Sequence, residues 1–175
     1  MTESEYDTWP VDIFQILMDH QVRQVAYVPD AGHTQLIEMC HKNPEMKTVV
    51  LTTEEEGVAM LAGAWLGGDR GALLMQSSGV GNCINMLSLP RVCRMPLLML
   101  VTMRGQWGEF NPWQVPMGQN TQKALTLAGV INFPVADGRH VRDAVEAAAR
   151  MAFEGRAATA VLISQRILGA KTFGN

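Results

Sequence analysis

The sequence predicts an α/β fold: a single three-layer domain in which helices cover both faces of a mostly parallel six-stranded sheet. Two observations predict this class. Short apolar segments rich in β-branched residues alternate along the chain with longer segments that have helical periodicity, an order typical of parallel sheets. No internal repeat or low-complexity linker interrupts this order, so we expect one domain over residues 1–175.

Turn-forming residues separate the predicted elements. Pro10 suits the first turn of the first helix, which is amphipathic, and Pro29 ends the first strand. Asn43 and Pro44 turn the chain toward the second strand, and Gly67 ends the third helix. The predicted strands cover residues 24–28, 48–51, 72–76, 96–102, 130–135 and 158–164. The predicted helices cover residues 9–20, 34–41, 53–67, 83–89, 119–128 and 139–153, and loops are expected over 77–82 and 103–118.

Residues 51–65 pass from the end of a strand into a helix and are the most informative stretch of the chain. Thr53 can cap this helix, and Glu54, Glu55 and Glu56 fill its first turn, where the helix dipole favours negative charge. The residues that follow are small or apolar almost all round, so we expect a helix that is buried on most sides. Solvated charges are the simplest interpretation of Glu55 and Glu56, whereas Glu54 is a candidate for function.

Composition and charge argue against several classes of partner. The formal net charge is −3 and there is no basic run, so we expect neither nucleic acid nor a membrane as a partner. The longest strongly apolar run, 96–103, is too short to span a bilayer, and the acidic segment 2–7 predicts that there is no signal peptide. Cys40, Cys83 and Cys93 lack CxxC spacing, which is typical of reduced thiols in or near the core of a cytoplasmic protein.

Four segments are expected at the carboxyl ends of strands, where open parallel sheets bind their ligands. They cover residues 30–33, 52–54, 77–82 and 102–114, and they should meet at one edge of the sheet. The candidate site residues within them are His33, Glu54, Gly79, Val80, Gly81, Asn82, Arg104 and Gln114.

Several common motifs are absent from the sequence. Residues 79–82 begin like a dinucleotide-binding loop, but the third glycine of that motif would fall at Ile84. There is no P-loop, no GxSxG elbow and no cluster with zinc-ligand spacing. Two interpretations therefore stay open for residues 77–82, a tight loop for a flat ligand or a plain strand-to-helix turn. His33 is likewise a candidate either for function or for packing of its loop.

Four segments carry a resemblance to a known enzyme family. They are Glu54-x-x-x-x-Ala59-x-x-Ala62-Gly63 after a strand, Gln76 to Asn82, Pro96 to Gly105, and Trp107 to Gly118. In this order and spacing they resemble the pyrimidine-binding (PYR) half of the sulfopyruvate and phosphonopyruvate decarboxylases, a family of thiamine-diphosphate enzymes. The similarity extends over residues 11–167.

The resemblance implies a PYR fold with thiamine diphosphate as cofactor, which acts as the electron sink when a 2-oxo acid loses carbon dioxide. Glu54 would be the activating glutamate, which shares a proton with the ring nitrogen N1′ of the aminopyrimidine. Gly79, Val80 and Gly81 would line this ring, with Asn82 as a further polar contact.

The implied substrate is a three-carbon 2-oxo acid with a second anionic group, most simply sulfopyruvate, which would give sulfoacetaldehyde and carbon dioxide. Phosphonopyruvate and other 2-oxo acids are the alternatives. Arg104 would bind the second anion, because a planar guanidinium suits such groups; the alternative is that Arg104 pairs with Glu109 and only holds its loop. His33 would act as an acid or base or orient the substrate, and Gln114 would add a weaker polar contact.

A missing motif implies a partner. Thiamine-diphosphate enzymes bind the metal and the diphosphate through a Gly-Asp-Gly run, and here Asp137-Gly138 is the nearest fragment. We therefore expect no metal ligand in this chain. A separate PP-type beta subunit would bind Mg²⁺ and the diphosphate, and the active site would form between chains of a hetero-oligomer. The alternative from another class is a non-catalytic binding module with the PYR fold, which would have no reason to keep a buried acid at Glu54.

Overall fold

The computed structural model describes residues 8–169 and contains one sheet of six strands, all paired in parallel. The strands are β1 (Val22–Tyr27), β2 (Lys47–Val50), β3 (Arg70–Gln76), β4 (Leu97–Thr102), β5 (Ile131–Val135) and β6 (Ala158–Ile163). Their order across the sheet is β2-β1-β3-β4-β6-β5. The predicted α/β class and the six strands are confirmed, and each strand lies within two residues of its predicted bounds.

Eight helices accompany the sheet among the described residues: α1 (Trp9–Asp19), α2 (Thr34–Lys42), α3 (Glu54–Leu66), α4 (Ser77–Cys83), α5 (Ser88–Cys93), α6 (Gln114–Leu127), α7 (Val141–Phe153) and α8 (Gln165–Leu168). Helices α1, α2 and α7 pack on one face of the sheet, whereas α3, α4 and α6 pack on the other. The central strand β3 serves both cores because its side chains alternate. Ala72 and Leu74 join the first core, and Leu73 and Met75 join the second.

The predictions for residues 77–89 and for the start of the helix at 119 were wrong. Residues 77–82 form helix α4 rather than a loop, and the helix predicted over 83–89 is replaced by a turn that leads into α5. Helix α6 begins at Gln114, five residues before its predicted start. Pro116 argued against a helix at this point. It lies in the first turn, however, where backbone N–H groups have no partner within the helix, so a proline there costs no hydrogen bond.

Helix α3 lies within one residue of its predicted bounds but differs in two details. The Thr53 hydroxyl donates to the Glu55 carboxylate instead of capping the helix. One face, with Ala59, Gly63 and Leu66, is exposed in this chain, so the expectation of burial on most sides was too strong. Leu66 alone keeps 75% of its surface exposed.

Further expectations concern the cysteines and the segments that could cross a membrane or act as a signal peptide. Cys40 and Cys83 are buried as expected, but Cys93 is exposed, because it is the last residue of the short surface helix α5. Within residues 8–169, no helix combines the length and the apolar character that crossing a membrane requires. The acidic segment 2–7, on which the signal-peptide expectation rests, lies outside the described residues.

The loop over residues 103–113 is held closed by one buried carboxylate, Glu109. Its oxygens accept hydrogen bonds from Arg104 Nε and Nη2, both at 2.6 Å, and from the backbone N–H groups of Gly105 and Asn111. Gln165 of α8 donates to the same carboxylate. The hydrogen bonds from Arg104 are the main reason why the pKa of Glu109 falls from 4.5 to about 2. The loop that follows β4 is therefore ordered around a charge that is fully ionised at neutral pH.

We expect Glu109→Gln to lower the free energy of unfolding by about 3 kcal/mol at pH 7, because it leaves the buried Arg104 guanidinium without its counter-charge. The pKa of Glu109 is lower in the folded chain, so its contribution is complete above about pH 4.5 and is lost as the pH falls toward 2. Urea unfolding at pH 7 and pH 3 measures both effects.

The matched control is Glu154→Gln, which removes an exposed partner of Arg150 and should change the free energy of unfolding by less than about 0.5 kcal/mol. Equal losses in the two variants at pH 7 would contradict the role of Glu109.

Candidate active site

The carboxyl ends of β1, β3 and β4 meet around Asp30. Its Oδ1 accepts from Gln76 Nε2 at 3.0 Å, and its Oδ2 accepts from the Thr102 hydroxyl. Gln76 ends β3 and Thr102 ends β4, so the Asp30 carboxylate ties three neighbouring strand ends together. The strand order reverses between β1 and β3, which is the point where open parallel sheets bind ligands. Asp30 was not among the predicted site residues, although a carboxylate directly after a strand was the available signal.

Glu54, the first residue of α3, lies against the second helix of the site, α4. Only 7% of its surface is exposed. A Cβ built on Gly79 would lie 2.2 Å from Glu54 Oε1, so the Glu54 carboxyl occupies the space that a side chain at position 79 would need. Its Oε2 accepts a 2.7 Å hydrogen bond from Asn82 Nδ2, and no cation among residues 8–169 pairs with it. Residues 28 positions apart in sequence thus share one contact.

The other residues of α4 are placed differently. The Val80 side chain is fully buried in the core, so only its backbone can contact a ligand. Gly81 is exposed, and a Cβ there would lie 3.3 Å from Met117 Sδ of α6. The structure therefore brings Glu54, Gly79 and Asn82 into contact and places Gly81 beside them on the same helix.

His33 lies beneath the sheet edge with only 1% of its surface exposed. Its Nε2 is 3.0 Å from the Leu100 carbonyl oxygen, which can only accept, so Nε2 carries the proton. The Nδ1 atom is buried without a hydrogen-bond partner among the described residues. Burial lowers the pKa of His33 below its ordinary value of 6.5, so the ring is neutral at pH 7. In this arrangement the imidazole faces protein rather than an open site, and it has no contact with Glu54.

A pocket of about 550 Å³ lies at the same edge, on the side of α1 and α2. Its lining includes Asp30, Glu38, Thr102 and Arg104. Two nitrogens of Arg104 are taken by Glu109, and Nη1 has no hydrogen-bond partner within residues 8–169. The pairing of Arg104 with Glu109, which was the structural alternative, is thus what the chain adopts, and it leaves one nitrogen for a ligand.

Gln114 is separate from this pocket. It is the first residue of helix α6, and its Oε1 is buried without a donor within the described part of the chain. The nearby indole rings of Trp107 and Trp113 are 43% and 81% exposed. Gln165, which sequence reasoning also missed, accepts from the N–H groups of Gln106 and Trp107 and so supports the same loop. No cluster of three or more His, Cys, Asp or Glu residues suited to a metal ion occurs within 8–169.

Comparison with known proteins gives three findings. Residues 11–126 match the family described as thiamine pyrophosphate enzyme, N-terminal TPP binding domain. Sulfopyruvate decarboxylase subunit alpha of Methanococcus maripaludis is 34% identical over 146 residues, which cover 81% of this chain and 87% of that protein. Phosphonopyruvate decarboxylase of Streptomyces viridochromogenes is 40% identical over 108 residues, which cover 61% of this chain and 27% of that protein.

Among solved structures, a 2-oxoglutarate:ferredoxin oxidoreductase from Magnetococcus marinus superposes with a TM-score of 0.74 over 91% of this chain and 29% of that one. At 14% identity this likeness concerns the fold alone. The sequence matches go further, since the family match over residues 11–126 includes β1 to β4 and the helices α3 and α4 that carry Glu54, Gly79 and Asn82. The chain therefore belongs to the thiamine pyrophosphate enzymes through their N-terminal TPP binding domain, and within them to the family of the sulfopyruvate decarboxylase alpha subunits.

Proposed function

We propose that this chain is the alpha subunit of a thiamine-diphosphate-dependent decarboxylase that converts sulfopyruvate to sulfoacetaldehyde and carbon dioxide. The observation that carries the proposal is Glu54, a buried carboxyl that packs against Gly79 and pairs with no cation among residues 8–169. A purely structural role gives little reason to bury an acid in this way, because burial of an unpaired charge is costly. Family membership supplies the reaction for which such an acid is needed.

The residues of this chain fit the pyrimidine end of the cofactor. The ring nitrogen N1′ requires an acid, and Oε1 of Glu54 accepts no hydrogen bond from the described residues. Gly79 has no side chain, which lets Glu54 and a flat ring approach the backbone of α4. When bound, thiamine diphosphate supplies the electron sink for decarboxylation. Glu54 would hold and move the proton at N1′, and its low exposure would keep water from competing for that proton.

We propose that a PP-type beta subunit binds Mg²⁺ and the diphosphate, so that the active site forms between chains of a cytoplasmic hetero-oligomer. Relatives of similar length are named as alpha subunits, which supports a partner. The three free cysteines suit a reducing compartment. In this proposal the whole chain, 1–175, is one PYR domain.

For the substrate, we propose that Arg104 Nη1 binds the distal anionic group. Glu109 already balances the charge of Arg104. The substrate anion would therefore be bound mainly by a directed hydrogen bond from Nη1, and only weakly by the net charge of the pair. One nitrogen does not distinguish a sulfonate from a phosphonate, so phosphonopyruvate stays the alternative substrate, supported by the relative named phosphonopyruvate decarboxylase.

His33 and Gln114 complete the proposed substrate side. An acid–base role for His33 would fall to Nδ1, because Nε2 donates to the Leu100 carbonyl, but the ring is buried away from a ligand. We therefore assign His33 the positioning of the loop after β1. Gln114 offers Oε1, which has no donor among residues 8–169, as an acceptor for the substrate or the partner subunit.

In the complex with the beta subunit, thiamine diphosphate and Mg²⁺, we expect Glu54→Gln to lower kcat for carbon dioxide release from sulfopyruvate by at least about 100-fold, since an amide cannot exchange a proton with N1′. Glu56→Gln, an exposed neighbour in the same helical turn, should retain full activity. Either chain alone should be inactive. Normal turnover by Glu54→Gln would refute the proposed role, and a complex that releases no carbon dioxide from any 2-oxo acid would favour the binding module.

The role of Arg104 is tested with the double variant Arg104→Gln/Glu109→Gln, which removes both charges and leaves neither unpaired. We expect KM for sulfopyruvate to rise about tenfold or more, the value of a hydrogen bond to a charged group, while kcat/KM for pyruvate, which lacks the distal anion, changes little. Parallel losses for both substrates would show instead that the pair only holds the loop.

A further inference from the structure

Among residues 8–169, the Glu54 side chain receives one hydrogen bond, and it comes from Asn82. The distance from Asn82 Nδ2 to Glu54 Oε2 is 2.7 Å, short enough for a strong bond to a carboxylate. Asn82 lies in the last turn of α4 and is exposed, whereas Glu54 is buried. The exposed Asn82 amide therefore donates to the buried carboxyl of Glu54, on which the proposed function depends.

This bond makes the two oxygens of Glu54 different. Asn82 donates to Oε2, whereas Oε1 lies against Gly79 and has no donor in the part of the chain that the structure describes. The terminal torsion of a glutamate is broad, so packing alone does not fix the plane of its carboxyl group. A directed amide donor on one oxygen, together with a glycine backbone against the other, does fix it.

We propose that Asn82 is a positioning residue for Glu54: it holds Oε2 and so presents Oε1 as the oxygen that shares a proton with N1′. This inference deepens the proposed function and rests on it. It also changes the role expected for Asn82, which acts through Glu54 and not by direct contact with the cofactor.

The chemistry of the amide explains why asparagine suits this position. An amide N–H can donate but cannot be deprotonated, so it favours the ionised carboxylate and keeps a proton away from Oε2. The proton that Glu54 exchanges is thereby restricted to Oε1. An aspartate at position 82 would instead place a second carboxylate beside the first, and the two would compete for one proton.

Few other titratable groups lie near Glu54. Burial raises the pKa of Cys83, at the end of α4, to about 12, and the nearby carboxylates of Glu54 and Glu55 contribute to the rise. Its thiol therefore stays protonated throughout the range from pH 5 to pH 9. Glu55 lies on the same helical turn and accepts from Thr53. A change in pH dependence that requires both Asn82 and Glu54 is thus attributable to their contact.

The test is a double-mutant cycle on the binding of thiamine diphosphate to the assembled alpha and beta chains with Mg²⁺, followed by titration calorimetry. The four proteins are wild type, Asn82→Ala, Glu54→Gln and the double variant. We expect Asn82→Ala to weaken binding about tenfold when Glu54 is present and by less than about twofold in the Glu54→Gln background. Equal losses in both backgrounds would indicate direct contact with the cofactor and would overturn the positioning role.

The pH dependence of binding gives a second readout. Because Glu54 and N1′ share one proton, affinity should fall once the pH is high enough to remove it. Without the amide donor Glu54 retains the proton more firmly, so the fall should move to higher pH in Asn82→Ala and stay unmoved in the Glu54→Gln background. An unchanged profile in Asn82→Ala would contradict the proposal.

The matched control is Asn85→Ala, which removes an exposed amide three residues after Asn82, and it should bind the cofactor like wild type. Additive losses in the cycle would overturn only the role of Asn82. If the assembled wild-type complex bound no thiamine diphosphate at all, the proposed function and this inference would fail together.

Discussion

The arrangement of the candidate site depends on the close contact between the Glu54 carboxyl and Gly79. It requires an acid at the start of α3 and a residue without a side chain in α4, because a Cβ at position 79 would overlap the carboxyl. Glycine in a helix costs about 1 kcal/mol relative to alanine, and α4 carries two, Gly79 and Gly81. Helix α4 thus accepts a local cost that is offset by packing against α3 and α6.

Two buried carboxylates at this edge have opposite environments. Glu109 accepts five hydrogen bonds, two of them from a guanidinium, and its pKa of about 2 keeps it ionised and structural. Glu54 accepts one bond from a neutral amide and has no counter-charge within the described residues. Carboxylates become chemically distinct when their surroundings differ in this way, one fixed as a charge and the other free to exchange a proton. This division supports the proposal that Glu54 acts on the cofactor and that Glu109 orders the loop beside it.

Sequence reasoning located the strands within two residues, and it placed Glu54, Gly79 and Asn82 at one edge of the sheet, where they do meet. It failed where local signals and tertiary packing disagree. Gly79 and Gly81 indicated a loop, yet packing makes the segment helical. Thr53 was suited to cap α3, yet its hydroxyl bonds to Glu55. Asp30 and Gln165 carry no motif, and their importance is visible only from the backbone and side-chain groups that they connect.

The sequence by itself determined the α/β class, the order of elements and the family, because periodicity and motif spacing are local properties of the chain. Tertiary structure alone decided which partner each polar group takes. His33 bonds to a carbonyl 67 residues away, and Asn82 to a carboxylate 28 residues away. Such pairs depend on how the helices pack on the sheet to within an ångström, and the spacing of residues along the chain does not predict this packing.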